Sequence, residues 1–60
     1  MVEQHLQLDR FYTPEELADL LRVSKATITR ALRTGQLSGV KVGRQWRIWG
    51  MEVIQYIHGS

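Results

Sequence analysis

Apolar residues recur at helical spacing between residues 14 and 34, and this pattern predicts two short amphipathic helices. The first helix runs from about Pro14 to Arg22 and places Leu17, Leu20 and Leu21 on one face. Acidic residues occupy the opposite face. A helix with one apolar side is stable only when that side packs on a partner, and the next helix along the chain is the nearest candidate.

The second helix spans residues 24–34 and has two unlike faces. Ile28, Ala31 and Leu32 fall on one side when residues are spaced by about 100° around the helix axis. The opposite side carries Ala26, Thr29, Arg30 and Arg33. One side is suited to a hydrophobic core and the other to a polyanion.

Capping residues mark the helix boundaries. We expect Thr13 to cap the first helix, with Pro14 at its first position and Glu16 completing a capping box. Ser24 is the expected N-cap of the second helix, and Gly35 is suited to end it. The two helices are therefore separated by a very short turn.

Alternating residues between 40 and 48 predict a β-hairpin. We expect a loop of three residues, 43–45, because an odd loop length lets Val42 face Trp46 and Val40 face Ile48. Both valines would then point into the core.

A two-residue loop of Gly43 and Arg44 would instead pair Lys41 with Trp46. With the three-residue loop, Lys41 and Arg47 point outward together and Arg44 lies at the exposed tip. The hairpin is thus predicted to form a basic wing beside the second helix.

The two ends of the chain complete the predicted organisation. Residues 1–10 show little periodicity and are expected to form a flexible tail, which leaves a single domain over residues 11–58. Val53, Ile54 and Ile57 predict a short last helix, about residues 51–57, that closes the core. Its start, around residues 49–51, is not fixed by the pattern.

Composition excludes several classes of protein. With 60 residues and no cysteine, a disulfide or a thiolate metal site is ruled out, and His5 and His58 lack metal-ligand spacing, so we expect no metal or cofactor. No carboxylate pair or phosphate loop points to an enzyme. No apolar run is long enough to span a membrane, and no secretory signal is present, so we expect a cytoplasmic, nucleoid-associated protein without a membrane partner.

Charge is distributed unevenly along the chain. The formal net charge is only +2, yet no Asp or Glu occurs between Leu20 and Met51. Seven of the eight Lys and Arg residues lie in or beside the two elements of this interval: Arg22, Lys25, Arg30, Arg33, Lys41, Arg44 and Arg47. Because their elements have apolar opposite faces, these charges form one field suited to phosphates.

The stretch YTPEELADLLRVSKATITRALRTGQLSGVKVGRQWRI resembles the excisionase-type, MerR-like winged helix-turn-helix domains, over about residues 12–57. Ala18, Val23 and Ile28 match the spacing of the helix-turn-helix. The usual glycine of the turn is Arg22 here, and Trp49-Gly50-Met51 replaces the usual start of the last helix. The resemblance implies a mainly α fold with a small β-hairpin, in the order helix, turn, helix, wing, helix.

Members of this family are small bacterial, phage and mobile-element DNA-binding proteins, including recombination directionality factors and MerR-like transcription regulators. The resemblance therefore implies double-stranded DNA as the partner, with helix 24–34 in the major groove and wing 40–48 on the minor groove or backbone. The expected helix contacts are Ser24, Lys25, Ala26, Thr27, Thr29, Arg30 and Arg33. The expected wing contacts are Lys41, Arg44, Gln45 and Arg47.

Distinct roles are predicted within this set. Arg30 is favoured over Arg33 for a guanine edge, and Lys25 for a phosphate at the helix N-terminus. Arg44 suits the minor groove, flanked by Lys41 and Arg47 on the backbone. Stacking of Trp46 or Trp49 on nucleobases is the lesser alternative.

Other functions and assemblies remain open from the sequence. A protein-interaction module built on the same winged-helix surface is the main alternative, and RNA binding ranks below it because A-form RNA has a narrow major groove. A chain of 60 residues leaves no room for a long dimerisation helix. We therefore expect a monomer that assembles cooperatively on adjacent DNA sites, with a recombinase, an integrase or the transcription machinery as possible protein partners.

Overall fold

The computed structural model describes residues 6–59, which form three helices and one antiparallel three-stranded sheet. In chain order the elements are β1 (Phe11–Tyr12), α1 (Pro14–Leu21), α2 (Lys25–Thr34), β2 (Val40–Val42), β3 (Gln45–Trp49) and α3 (Gly50–Gly59). The strand order is β1-β3-β2. The predicted winged helix-turn-helix fold is confirmed, and the short strand β1 joins the predicted hairpin on the far side of β3.

The start of α1 is fixed by its own side chains. The Thr13 hydroxyl accepts a hydrogen bond from the Glu16 N–H (3.2 Å), and the Glu16 carboxylate accepts one from the Thr13 N–H (2.9 Å). Pro14 occupies the first turn, where its missing N–H costs nothing. The predicted capping box is therefore confirmed.

The turn between α1 and α2 places Arg22 in the left-handed region, with φ 59° and ψ 45°. The Val23 N–H donates to the Ala18 carbonyl (3.0 Å) and the Arg22 N–H to the Asp19 carbonyl (3.4 Å). These two bonds form a Schellman motif, which normally has glycine at the left-handed position. Helix α1 thus ends one residue before the predicted boundary, at a conformation that costs a non-glycine residue about 1–2 kcal/mol.

Helix α2 begins and ends as predicted. The Ser24 hydroxyl accepts from the Thr27 N–H (3.1 Å), and Gly35 follows the helix with φ 84°. Ile28, Ala31 and Leu32 are its buried residues, so the apolar face expected from the sequence faces the core.

The core draws on every helix and on the inner face of the sheet. Its buried side chains are Tyr12, Leu17, Ile28, Ala31, Leu32, Leu37, Ile48 and Val53. Leu37, in the loop after α2, is only 1% exposed. Helix α3 contributes Val53 and starts one residue earlier than expected, directly after β3.

The predicted register of the wing is wrong. Val42 pairs with Gln45, Lys41 with Trp46 and Val40 with Arg47, so the loop holds two residues instead of three. Gln45 belongs to β3 and not to the loop.

Turn geometry explains this register. Gly43, the first of the two loop residues, has φ +63°, whereas Arg44 does not have a positive φ. A glycine with positive φ at the first position is typical of a type II′ turn, whose twist matches the twist of the flanking strands. The register therefore follows the preference of the turn, and not the three-residue loop that the alternation of apolar residues predicted.

The new register reverses the two faces of β2. Val40 and Val42 are 61% and 58% exposed on the face of the sheet that points away from the core. Lys41 lies on the inner face beside Trp46, while Arg47 lies on the outer face beside Val40. The expectation that Lys41 and Arg47 point the same way is corrected: they occupy opposite faces of the wing.

The segment before β1 differs from the expectation in its second half. Residues 1–5 of the predicted flexible tail lie outside the described residues. The remainder packs on the domain: the Gln7 N–H donates to the Tyr12 hydroxyl (2.8 Å), and the Gly50 N–H donates to the Arg10 carbonyl (2.8 Å). A Cβ at Gly50 would lie 2.0 Å from the Gln7 carbonyl oxygen, so only glycine permits this close approach.

Candidate nucleic-acid interface

The outer face of α2 is a basic, solvent-exposed surface. Lys25, Ala26, Arg30 and Arg33 are exposed, and Thr29 is half-buried at its edge. Among the described residues, none of these arginines takes part in an ion pair. Both guanidinium groups are therefore available to an anionic ligand.

The hydroxyls that belong to the predicted contact set are already engaged locally. The Ser24 hydroxyl caps the helix and lies 2.9 Å from the Thr27 hydroxyl. The Thr29 hydroxyl donates to the Lys25 carbonyl (2.9 Å). The donor of Thr29 and one donor of the Ser24–Thr27 pair thus serve the helix. The other donor of that pair and the methyl group and oxygen lone pairs of Thr29 are left for an external contact.

The start of α2 and the wing form the two sides of one groove of about 220 Å³. The residues that line this groove are Pro14, Glu15, Lys25, Thr29, Lys41, Arg44, Gln45 and Trp46. Five of them belong to the predicted contact set, two from α2 and three from the wing. The structure therefore brings together residues that are up to twenty positions apart in the sequence.

Lys41 is directed into the groove by the tryptophan beneath it. Its ammonium nitrogen lies 5.3 Å from the centre of the Trp46 ring, a cation–π distance. Trp46 is half-buried against the core, so this contact positions the charge of Lys41 at the groove surface. The same contact covers one side of the Trp46 ring, which weighs against base stacking on that side.

A carboxylate also lies in the groove, and sequence reasoning missed its role. Glu15 Oε2 is 2.7 Å from Lys25 Nζ, and both side chains are well exposed. The hydrogen bond from Lys25 is the main cause that holds the pKa of Glu15 below its ordinary value. Glu15 lies in the first turn of α1 and Lys25 in the first turn of α2, ten positions apart in the sequence. No spacing rule within one helix relates them, and their contact follows from how the two helices pack.

Arg47 is the predicted wing contact that the structure separates from the groove. It follows Trp46 on β3 and therefore points to the opposite face of the sheet. Arg44 lies at the exposed tip, as predicted.

Residues 6–59 contain no cluster of three His, Asp or Glu side chains that could hold a metal ion. Over the same range, no helix has both the length and the apolar character that a membrane span requires.

Two helices joined by a tight turn, followed by a β-wing, define the winged helix-turn-helix class. The chain belongs to the helix-turn-helix domain family, which matches residues 11–59. No solved structure gives a significant match.

Two kinds of relative were found. The "Putative DNA-binding protein Rv0500A" of Mycobacterium tuberculosis strain H37Rv, and the "Putative DNA-binding protein MT0521" of strain CDC 1551, are each 40% identical over 59 residues, which cover 98% of this chain and 76% of theirs. The "Uncharacterized protein YvgK" of Bacillus subtilis is 44% identical over 45 residues. That match covers 75% of this chain but only 15% of YvgK.

Proposed function

We propose that this chain binds double-stranded DNA in a sequence-dependent manner. The observation that carries the proposal is the groove in which Lys25 of α2 meets Lys41 and Arg44 of the wing. Counterion release makes such a cluster of cations a favourable site for backbone phosphates. Membership of the helix-turn-helix family and the names of the mycobacterial relatives support this function.

Helix α2 is proposed to read the major groove. Arg30 lies in the middle of its exposed face, where a bidentate contact to a guanine edge would contribute about 1–3 kcal/mol of discrimination. Arg33 and Lys25 are assigned to phosphates, and Ala26 permits a close approach of the helix to the bases. The hydroxyls of Ser24, Thr27 and Thr29 are engaged within the protein, so these residues are proposed to contact DNA only through their remaining hydrogen-bonding groups and methyl groups.

The wing is proposed to contact the adjacent minor groove or backbone. Arg44 at the tip is assigned to the minor groove, with Lys41 and Gln45 on neighbouring phosphates. Arg47 is not part of this proposed contact: it lies on the outer face two residues further from the turn than Gln45, and it does not line the groove.

The biological role is proposed from the resemblance to excisionase-type and MerR-like domains. We propose that the chain acts at the nucleoid, without enzymatic activity, as a recombination directionality factor or a small transcription regulator. Proposed protein partners are a recombinase or integrase in the first case and the transcription machinery in the second. One small domain contacts a short site, so we propose that monomers assemble cooperatively on adjacent sites.

The test begins with selection of bound duplexes from a random pool, and the selected duplexes are then footprinted. Affinities are then measured by fluorescence anisotropy for Arg30→Ala, Arg44→Ala and the matched control Arg47→Ala. Arg30→Ala should relax preference at one or two base pairs, and Arg44→Ala should weaken binding to all sequences alike. Arg47→Ala removes the same charge on the opposite face and should weaken binding least. Equal losses for Arg44→Ala and Arg47→Ala would contradict the proposed site.

Salt dependence separates DNA binding from a protein-interaction function. The three cations assigned to phosphates, Lys25, Arg33 and Lys41, give a slope of log K against log salt of about −2.7, whereas an apolar protein interface responds far less. If no duplex is enriched and the affinity for random duplex is insensitive to salt, the protein-interaction module becomes the better account.

A further inference from the structure

The outer face of the sheet carries a concentration of exposed apolar side chains. Four of the exposed large hydrophobic residues lie there: Phe11 (53%), Val40 (61%), Val42 (58%) and Trp49 (37%). The rings of Phe11 and Trp49 pack together with centroids 4.7 Å apart. Contiguous apolar surface of this kind on a small domain typically marks a site of interaction.

A basic side chain lies in the middle of this apolar surface. Arg47 is on the central strand, paired with Val40 on one side and two residues before Trp49 along β3. Phe11, Val40, Val42 and Arg47 line a groove of about 370 Å³. We call this surface, with Trp49, the outer sheet face.

The outer sheet face is separate from the groove assigned to DNA. Successive residues of a strand point to opposite faces, so Trp46 and Lys41 line the DNA groove while Arg47 and Val40 point away from it. A protein bound to DNA through the inner groove would still present its outer sheet face to solvent. The two surfaces are thus able to work at the same time.

The charge of Arg47 selects the kind of occupant. The ion pairs found among residues 6–59 are Arg10–Glu16 and Lys25–Glu15, so within this range Arg47 forms no ion pair. A second copy docked face to face would bring two Arg47 side chains together near the symmetry axis, and like charges there oppose association. A carboxylate from a different protein has no such penalty.

We propose that the outer sheet face binds a segment of a partner protein that presents two or more apolar side chains around an acidic residue. The apolar side chains cover Phe11, Val40 and Val42, and the carboxylate pairs with Arg47. Partly desolvated arginine pairs within an apolar surround are typical centres of protein interfaces. This inference extends the proposed function, because the partner would be recruited to DNA, but the docking itself does not depend on DNA.

The probe is a library of random 12-residue peptides displayed on phage and selected on the free protein. Winning peptides are synthesised, and their affinities are measured with and without a duplex. We expect the winners to combine apolar residues with Asp or Glu and to shift the amide signals of β2 and β3. The double variant Val40→Ser with Val42→Ser should lose about tenfold or more in peptide affinity.

Two controls sharpen the test. Val23→Ser changes an exposed valine (41%) in the turn between α1 and α2, away from the sheet, and should leave peptide affinity unchanged. Arg47→Glu should abolish binding, and a peptide with its acid replaced by lysine should recover binding to this variant. Such a charge exchange is not expected from a merely structural role of Arg47.

Several results would overturn the proposal: no enrichment, winners without acidic residues, or affinity unaffected by the double valine variant. If sedimentation shows that the wild-type chain is a dimer and that the double valine variant is a monomer, the outer sheet face binds a second copy of this chain instead. The double valine variant should retain wild-type DNA affinity. If the wild-type chain does not bind DNA, the proposed function is refuted, but the peptide result remains valid because the docking does not depend on DNA.

Discussion

The ion pair between Glu15 and Lys25 leads to a specific prediction about DNA binding. The two side chains meet at 2.7 Å inside the groove, so a phosphate that binds Lys25 competes with the carboxylate of Glu15. Glu15→Gln removes the competitor and also one negative charge that repels the DNA backbone. We therefore expect the variant to bind duplexes more tightly at low salt than the wild-type chain.

The magnitude follows from counting phosphates. Each phosphate neutralised on B-form DNA adds about 0.9 to the slope of log K against log salt. Releasing Lys25 should therefore steepen the slope by up to about 0.9. Between 50 and 200 mM salt, this difference corresponds to a change of about 3.5-fold in relative affinity.

The assay is fluorescence anisotropy with a selected duplex in a series of NaCl concentrations. Asp19→Asn is the matched control, because it removes the same charge from the exposed side of α1 without breaking the pair with Lys25. We expect its slope to match that of the wild-type chain. Equal slopes for Glu15→Gln and Asp19→Asn would show that Glu15 does not compete with a phosphate for Lys25, and the reasoning would fail.

Three further predictions concern stability and are read by thermal unfolding followed by circular dichroism. Arg22→Gly relieves about 1–2 kcal/mol of left-handed strain against an entropic cost of about 0.5–1 kcal/mol, so the net gain is about 0–1.5 kcal/mol and Tm should rise by up to several degrees. A lower Tm would argue against the strain. Gly50→Ala places a Cβ against the Gln7 backbone and should lower the free energy of unfolding by about 1–3 kcal/mol. Gly59→Ala is the control, because its Cβ would meet nothing within 4 Å and should leave stability unchanged. Similar effects of the two variants would contradict the close contact at Gly50. Tyr12→Phe removes the acceptor of the Gln7 N–H and should lower the free energy of unfolding by about 1 kcal/mol. Protection from amide exchange should be lost at Gln7 alone, and unaltered protection there would contradict the hydrogen bond.

Much of the fold follows from short-range patterns in the sequence. The capping box of Thr13 and Glu16, the Ser24 cap and the Gly35 terminus all involve residues within a few positions of one another. Such contacts need no knowledge of the rest of the molecule, because each satisfies the free backbone groups at a helix end. The buried face of α2 follows from periodicity in the same way.

The wing shows where local pattern and burial disagree. The alternation of Val40 and Val42 was interpreted as a sign of burial, yet both side chains are exposed. Branched residues favour extended strands whether or not they are buried, so their alternation did not specify which side faces the core. The Gly43 turn fixed the register, and the chemistry of the wing changed with it.

The sequence by itself determined the helix boundaries, the cationic face of α2 and the class of fold, because these depend on contacts within a few residues. The tertiary structure decided three things that no spacing could supply: the pairing of β1 with β3, the packing of Gln7 against Gly50 and the placement of Glu15 beside Lys25. Each depends on where distant segments meet in space. The division of the wing into a face toward α2 and an outer sheet face likewise became visible only once the sheet was assembled.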